Sequence, residues 1–92
     1  MIHQVSFQIE STIIVNGLSY EAFIDGNCWI NEFKYGEDAD GNRYEWVKEL
    51  SDIEFGNVSY VEDDKDVFID SSVIENIDDV KERIFEYCKD QL

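Results

Sequence analysis

The sequence predicts an α+β fold: an antiparallel β-meander of five or six strands with one C-terminal α-helix packed on the sheet. Three observations point to it. Apolar and polar residues alternate near the N-terminus, turn dipeptides separate the apolar runs, and the C-terminal end switches to a spacing of three and four. All 92 residues read as a single domain, 1–92, because no Pro-rich or Ser-rich linker and no internal repeat divides them.

His3, Val5, Phe7 and Ile9 alternate with Gln4, Ser6, Gln8 and Glu10, the period of a strand with one buried face. A second apolar run, Ile13 to Val15, reaches Asn16-Gly17, a dipeptide that accepts the positive φ angles of a tight hairpin. Leu18, Tyr20, Ala22 and Ile24 then alternate with Ser19, Glu21, Phe23 and Asp25, and Asp25-Gly26-Asn27 reads as a second turn. A strand from Cys28 to about Tyr35 follows. The polar stretch Gly36 to Asn42 with Asp40-Gly41, followed by the alternation of Tyr44 and Trp46 with Arg43 and Glu45, suggests a longer hairpin. Val47 to Ser51 reads as a helical turn. Ile53 to Val61 is a further strand, interrupted at Gly56-Asn57 by a turn or a bulge. Glu62-Asp63-Asp64-Lys65-Asp66 is a charged loop before a short strand, Val67 to Ile69.

Val73, Ile77, Val80, Ile84, Cys88 and Leu92 form one helical stripe. Two caps compete for its start: Ser72 with Glu75, or Asn76 with Asp79. Asp78 and Asp79 suit the positive end of the helix dipole.

Composition narrows function. There are 22 Asp and Glu against 7 Lys and Arg, for a formal net charge of -15, with 43% hydrophobic residues, 14% aromatic residues and no proline. So much apolar and aromatic content excludes an acidic disordered tail. Residues 1–31 hold only Glu10, Glu21 and Asp25, so the remaining 19 acids (22 minus 3) and all 7 bases lie beyond them. A surface this negative repels nucleic acid and anionic membranes, and its expected partner is a basic protein, one that handles nucleic acid. No run approaches the roughly 20 apolar residues of a membrane span, and Met1-Ile2-His3-Gln4 does not open a signal peptide, so a cytoplasmic location is expected.

Catalytic and metal-binding patterns are sparse, and neither enzymatic activity nor a cofactor is expected. The single histidine, His3, has no Ser or Cys nearby in sequence with which to form a nucleophile and base. Cys28 and Cys88 lack metal-ligand spacing; free thiols suit a reducing compartment, and a bridge between sheet and helix stays open. Placing Gly41 at the sixth position of a calcium loop puts Gly36 first and Val47 twelfth, neither able to ligate as that loop requires. A weak cation site at Glu37, Asp38 and Asp40, or at Glu62 to Asp66, competes with plain solvated loops.

The acids are patterned. On the helix, Asp79, Glu82, Glu86 and Asp90 form a line roughly opposite the apolar stripe, and each like-charged pair costs a few tenths of a kcal/mol. Tolerated repulsion favours a useful negative field over a merely soluble face. Glu32, Glu45, Glu49, Asp52 and Glu54 extend the field over the middle strands, and Glu62, Asp63 and Asp64 add a loop to it. Trp29, Phe33, Tyr35, Tyr44 and Trp46 cluster in the central hairpin. Either the sheet curls to bury both faces, or some of these rings stand exposed beside carboxylates, as in protein-binding surfaces. The candidate partner-binding residues are therefore Asp79, Glu82, Glu86, Asp90, Glu45, Trp46, Glu62, Asp63 and Asp64.

In size, acidity and lack of catalytic motifs the chain resembles small phage-encoded anti-defence proteins, including anti-CRISPR proteins and DNA mimics. The resemblance implies occlusion of a basic nucleic-acid-binding site on a CRISPR effector or similar complex, in the cytoplasm of a bacterial host. It carries over no individual residue. An immunity protein that neutralises a nuclease toxin has the same composition, and a non-catalytic structural or regulatory phage or bacterial domain is the third reading.

Overall fold

The computed structural model describes residues 1–36 and 45–92. Its element order is β1 (Ile2–Val15), β2 (Leu18–Tyr35), β3 (Glu45–Glu62), β4 (Lys65–Ile69), a single 3-10 turn at Ser71–Val73, and α1 (Ile77–Lys89). The four strands form one antiparallel sheet in the order β1-β2-β3-β4. The α+β meander with a C-terminal helix is thus present, with four strands among the described residues in place of the five or six expected.

The difference arises where turn signals lie inside strands. Asp25-Gly26-Asn27 does not reverse the chain, and β2 runs through it. The register passes from Ile24↔Val58 to Gly26↔Phe55, so Gly56 and Asn57 of β3 face Asp25 alone, a bulge. The Asp25 carboxylate accepts a hydrogen bond from the Asn57 amide at 2.7 Å, spending across the strands the capacity that would otherwise close a local turn. Gly26 adopts φ +156, and a Cβ there would lie 2.1 Å from the Glu54 carbonyl oxygen. Only glycine permits that approach. Val47 to Ser51 is likewise strand and not a helical turn: Val47 pairs with Phe33 and Leu50 with Ile30, while Ser51 is the extra residue of a second bulge.

The hairpin at Asn16-Gly17 forms as expected, with φ of 52 and 78 and Val15 paired to Leu18. Gly36 to Asn42, Tyr44 and the proposed cation ligands Glu37, Asp38 and Asp40 fall outside the described residues, in whole or in part.

One face of the sheet packs under α1. Phe7 and Ile13 of β1, Ala22, Ile24, Cys28 and Ile30 of β2, and Val58 and Tyr60 of β3 are buried with Ile74, Val80, Ile84 and Cys88. His3, Val5, Phe7 and Ile9 share this face, the phase read from the alternation. Tyr20 and Tyr60 stack with ring centroids 4.1 Å apart. The helical stripe is shorter than its periodicity: Val73 and Leu92 are exposed, because the helix begins only at Ile77 and ends at Lys89.

Neither expected capping bond forms at the start of α1, although Asn76 does occupy its N-cap position. Asp70 caps the 3-10 turn by accepting from the Ser72 amide at 2.9 Å, and that bond holds its carboxyl below the usual carboxylate range. Asn76 precedes α1 but makes no side-chain cap bond. Its side chain turns to β1 instead, accepting from the Ile14 amide at 2.9 Å and donating to the Thr12 carbonyl at 3.0 Å. The Glu75 amide donates to the Ile14 carbonyl at 2.8 Å, so this segment stitches the helix start to the end of β1.

The described chain is long and narrow, 63 × 23 × 18 Å, with a radius of gyration of 16.7 Å against about 12 Å for a compact domain of this length. Its length comes from β2 and β3, whose pairing continues to Tyr35↔Glu45 after β1 has ended opposite Asn31.

Candidate protein-binding surface

α1 lies along β1, and its fully buried residues are Val80, Ile84 and Cys88, one face of the helix. That packing turns the rest of the helix to solvent, and Asp79, Glu82, Glu86 and Asp90 are all exposed there. Between α1 and β1 runs a shallow groove of about 540 Å³. Its lining includes Ser11 and Thr12 from the strand, Asn76 at the helix start, and Asp79, Glu82, Arg83 and Glu86 along the helix. Three carboxylates therefore meet one guanidinium. Glu86 is partly neutralised by Lys89 Nζ at 3.0 Å, an exposed pair whose attraction water and salt weaken. Asp90 follows the helix as its C-cap and does not line the groove.

Ser11 is a polar residue buried to 1% exposure on the apolar face of β1. It lines the groove. A buried polar group normally has a partner, and among the described residues no buried side-chain nitrogen or oxygen lacks one.

The other candidate residues lie elsewhere. Trp46 is 60% exposed on the two-stranded extension, opposite Lys34, whose ammonium stands 5.3 Å from the ring centre. Glu45 pairs with Tyr35 at the same end. Glu62 ends β3, and Asp63 and Asp64 form the tight turn into β4, both at positive φ. The residues expected to make one surface therefore occupy three places: the helix, the end of the β2–β3 extension, and the β3–β4 turn.

The sheet face away from α1 presents a feature that the candidate list lacks. Phe23 (47% exposed) and Phe68 (67% exposed) flank Ser59 in one cross-strand row, with Glu10 at its β1 end. Trp29 and Phe33 share this face and are half-buried, so of the two alternatives for the aromatics the exposed one applies to part of the set. The signal was in the alternation itself: Phe23 stands in the outward phase with Ser19, Glu21 and Asp25.

His3 Nε2 is 3.3 Å from Glu32 Oε1, a strand-to-strand pair. Among the described residues no group of three or more His, Cys, Asp or Glu side chains is placed to hold a metal ion, the Glu62 to Asp66 turn included. No helix among them is long and apolar enough to cross a membrane. No protein-family model, curated protein or solved structure matches the chain.

Proposed function

We propose that the protein is a small acidic inhibitory binding protein that occludes a basic nucleic-acid-binding site on a target protein, such as a CRISPR effector or another defence complex. The observation that carries this reading is the row of exposed carboxylates Asp79, Glu82 and Glu86 beside the groove against β1. A packed helix holds them at fixed spacing, and carboxylates so held pair with the Lys and Arg that otherwise neutralise phosphates. The overall charge of -15 steers a basic partner toward the surface and keeps nucleic acid away from it. Inhibition follows from occupancy, with no chemical step.

A pull-down from bacterial lysate across a salt series tests it. A retained nucleic-acid-handling protein that is released as salt shortens electrostatic reach to about 10 Å at 0.1 M supports the reading. The triple substitution Glu82→Lys, Glu86→Lys and Asp90→Lys abolishes that retention while circular dichroism stays unchanged. Retention that ignores both salt and charge reversal overturns the helix-face mechanism.

A further inference from the structure

We infer that β1 is a docking edge for an extended, Lys- and Arg-bearing polypeptide segment, which adds to the sheet as a strand beside the acidic groove. The inference rests on the proposed function and names the form in which the basic partner is held.

The free edge follows from the register. Met1 exchanges both backbone bonds with Glu32 of β2, at 2.8 and 3.0 Å, so odd-numbered residues of β1 point their backbone groups at β2. Even-numbered residues point away: Ile14 and Thr12 direct theirs at Glu75 and Asn76. The β1–β2 register is unbroken from Ile2 to Val15, so Gln4, Ser6, Gln8 and Glu10 hold the same outward phase. Asn76 closes only the end of that edge. Among the described residues nothing bonds the outward amides and carbonyls of the other four.

Natural sheets blunt such edges with lysine, proline or bulges. β1 has none of these, and its one charged side chain other than His3 is Glu10. The open part of β3, by contrast, is broken by bulges at Ser51 and at Gly56-Asn57, which makes it a poor template. A second copy of this chain is disfavoured as the occupant by the repulsion of two molecules at -15 each.

The groove supplies the specificity. A strand beside β1 carries every second side chain toward the α1 side of the sheet. Those side chains repeat at about 6.6 Å, and Glu82 and Glu86 are about 6 Å apart along the helix axis, so successive Lys or Arg residues meet successive carboxylates. Backbone pairing provides affinity and the alternate side chains provide selection, as in other strand-addition complexes.

The test uses the full chain, isotope-labelled, with two ten-residue capped probes of alternating Lys and Val, one unmodified and one N-methylated at every residue. The charge is the same and only the first has backbone donors. We expect the unmodified probe to slow amide exchange at Gln4, Ser6, Gln8 and Glu10 and to bind at least tenfold more tightly. Gln8→Pro, which removes an outward amide from an edge strand and spares the β1–β2 bonds, removes that advantage. Equal affinity for both probes overturns strand addition and leaves the electrostatic proposal standing. Perturbation of β3 amides instead of β1 overturns the choice of edge. Protection of β1 amides without any probe, with a doubled mass in sedimentation, assigns the edge to a second copy. No binding of either probe at low salt overturns both this inference and the reading on which it rests.

Discussion

Cys28 of β2 and Cys88 of α1 meet beneath the helix as a pair of free thiols, both fully buried. Burial raises the pKa of each, and Cys88 is pushed up to about 12 by burial and then by its neighbour. At pH 8 the thiolate fraction of such a group is roughly a thousandfold below that of a free cysteine, so a thiol reagent leaves the native protein unlabelled. Unfolding in guanidinium exposes both thiols to rapid reaction. The folded pKa exceeds the unfolded value, so the protonated form contributes stability that is complete below about pH 8.5 and lost as pH rises toward 12. Denaturant midpoints measured between these limits should fall steadily.

Gly26→Ala places a methyl group against the Glu54 carbonyl oxygen and the Phe7 ring. The substitution should cost roughly 2–4 kcal/mol, combining backbone strain with overpacking. A thermal melt reads this as a drop of about 8 °C or more, at about 4–8 °C per kcal/mol for a domain of this size. The same substitution at Gly17 meets no atom within 4 Å and pays only for its positive φ, so it should be milder.

Asn76→Ala removes both bonds from helix start to strand edge. A loss of about 1–3 kcal/mol is expected, because the Ile14 amide and the Thr12 carbonyl lose their partner. Hydrogen exchange distinguishes this from loss of an ordinary helix cap: protection should fall at Ile14 of β1, while the α1 amides keep theirs relative to global stability.

Trp46→Ala should leave stability within about 0.5 kcal/mol, since the ring is largely in solvent and packs on Lys34 at the end of the extension. Partner retention measured on this variant separates the two parts of the candidate surface. Unchanged retention assigns binding to the helix and groove, whereas a loss moves it to the end of the β2–β3 extension.

Much of this architecture was legible in the chain, because side-chain periodicity is a local property. The inward phase of His3 to Ile9, the hairpin at Asn16-Gly17 and the helical face of Val80, Ile84 and Cys88 each depend on residues a few positions apart. The acidic line Asp79, Glu82 and Glu86 followed from the same spacing. What the tertiary structure alone decided depends on partners far along the chain. Asp25-Gly26-Asn27 has the composition of a turn, and it stays extended because Gly56 and Asn57 arrive opposite it to form a bulge. Asn76 has the composition of a cap, and it serves β1 because the edge of that strand lies within reach. The dispersal of Trp46, Asp63 and Asp64 away from the helix has the same origin: sequence specifies which side chains are exposed, but only strand register and length specify which exposed side chains share a surface.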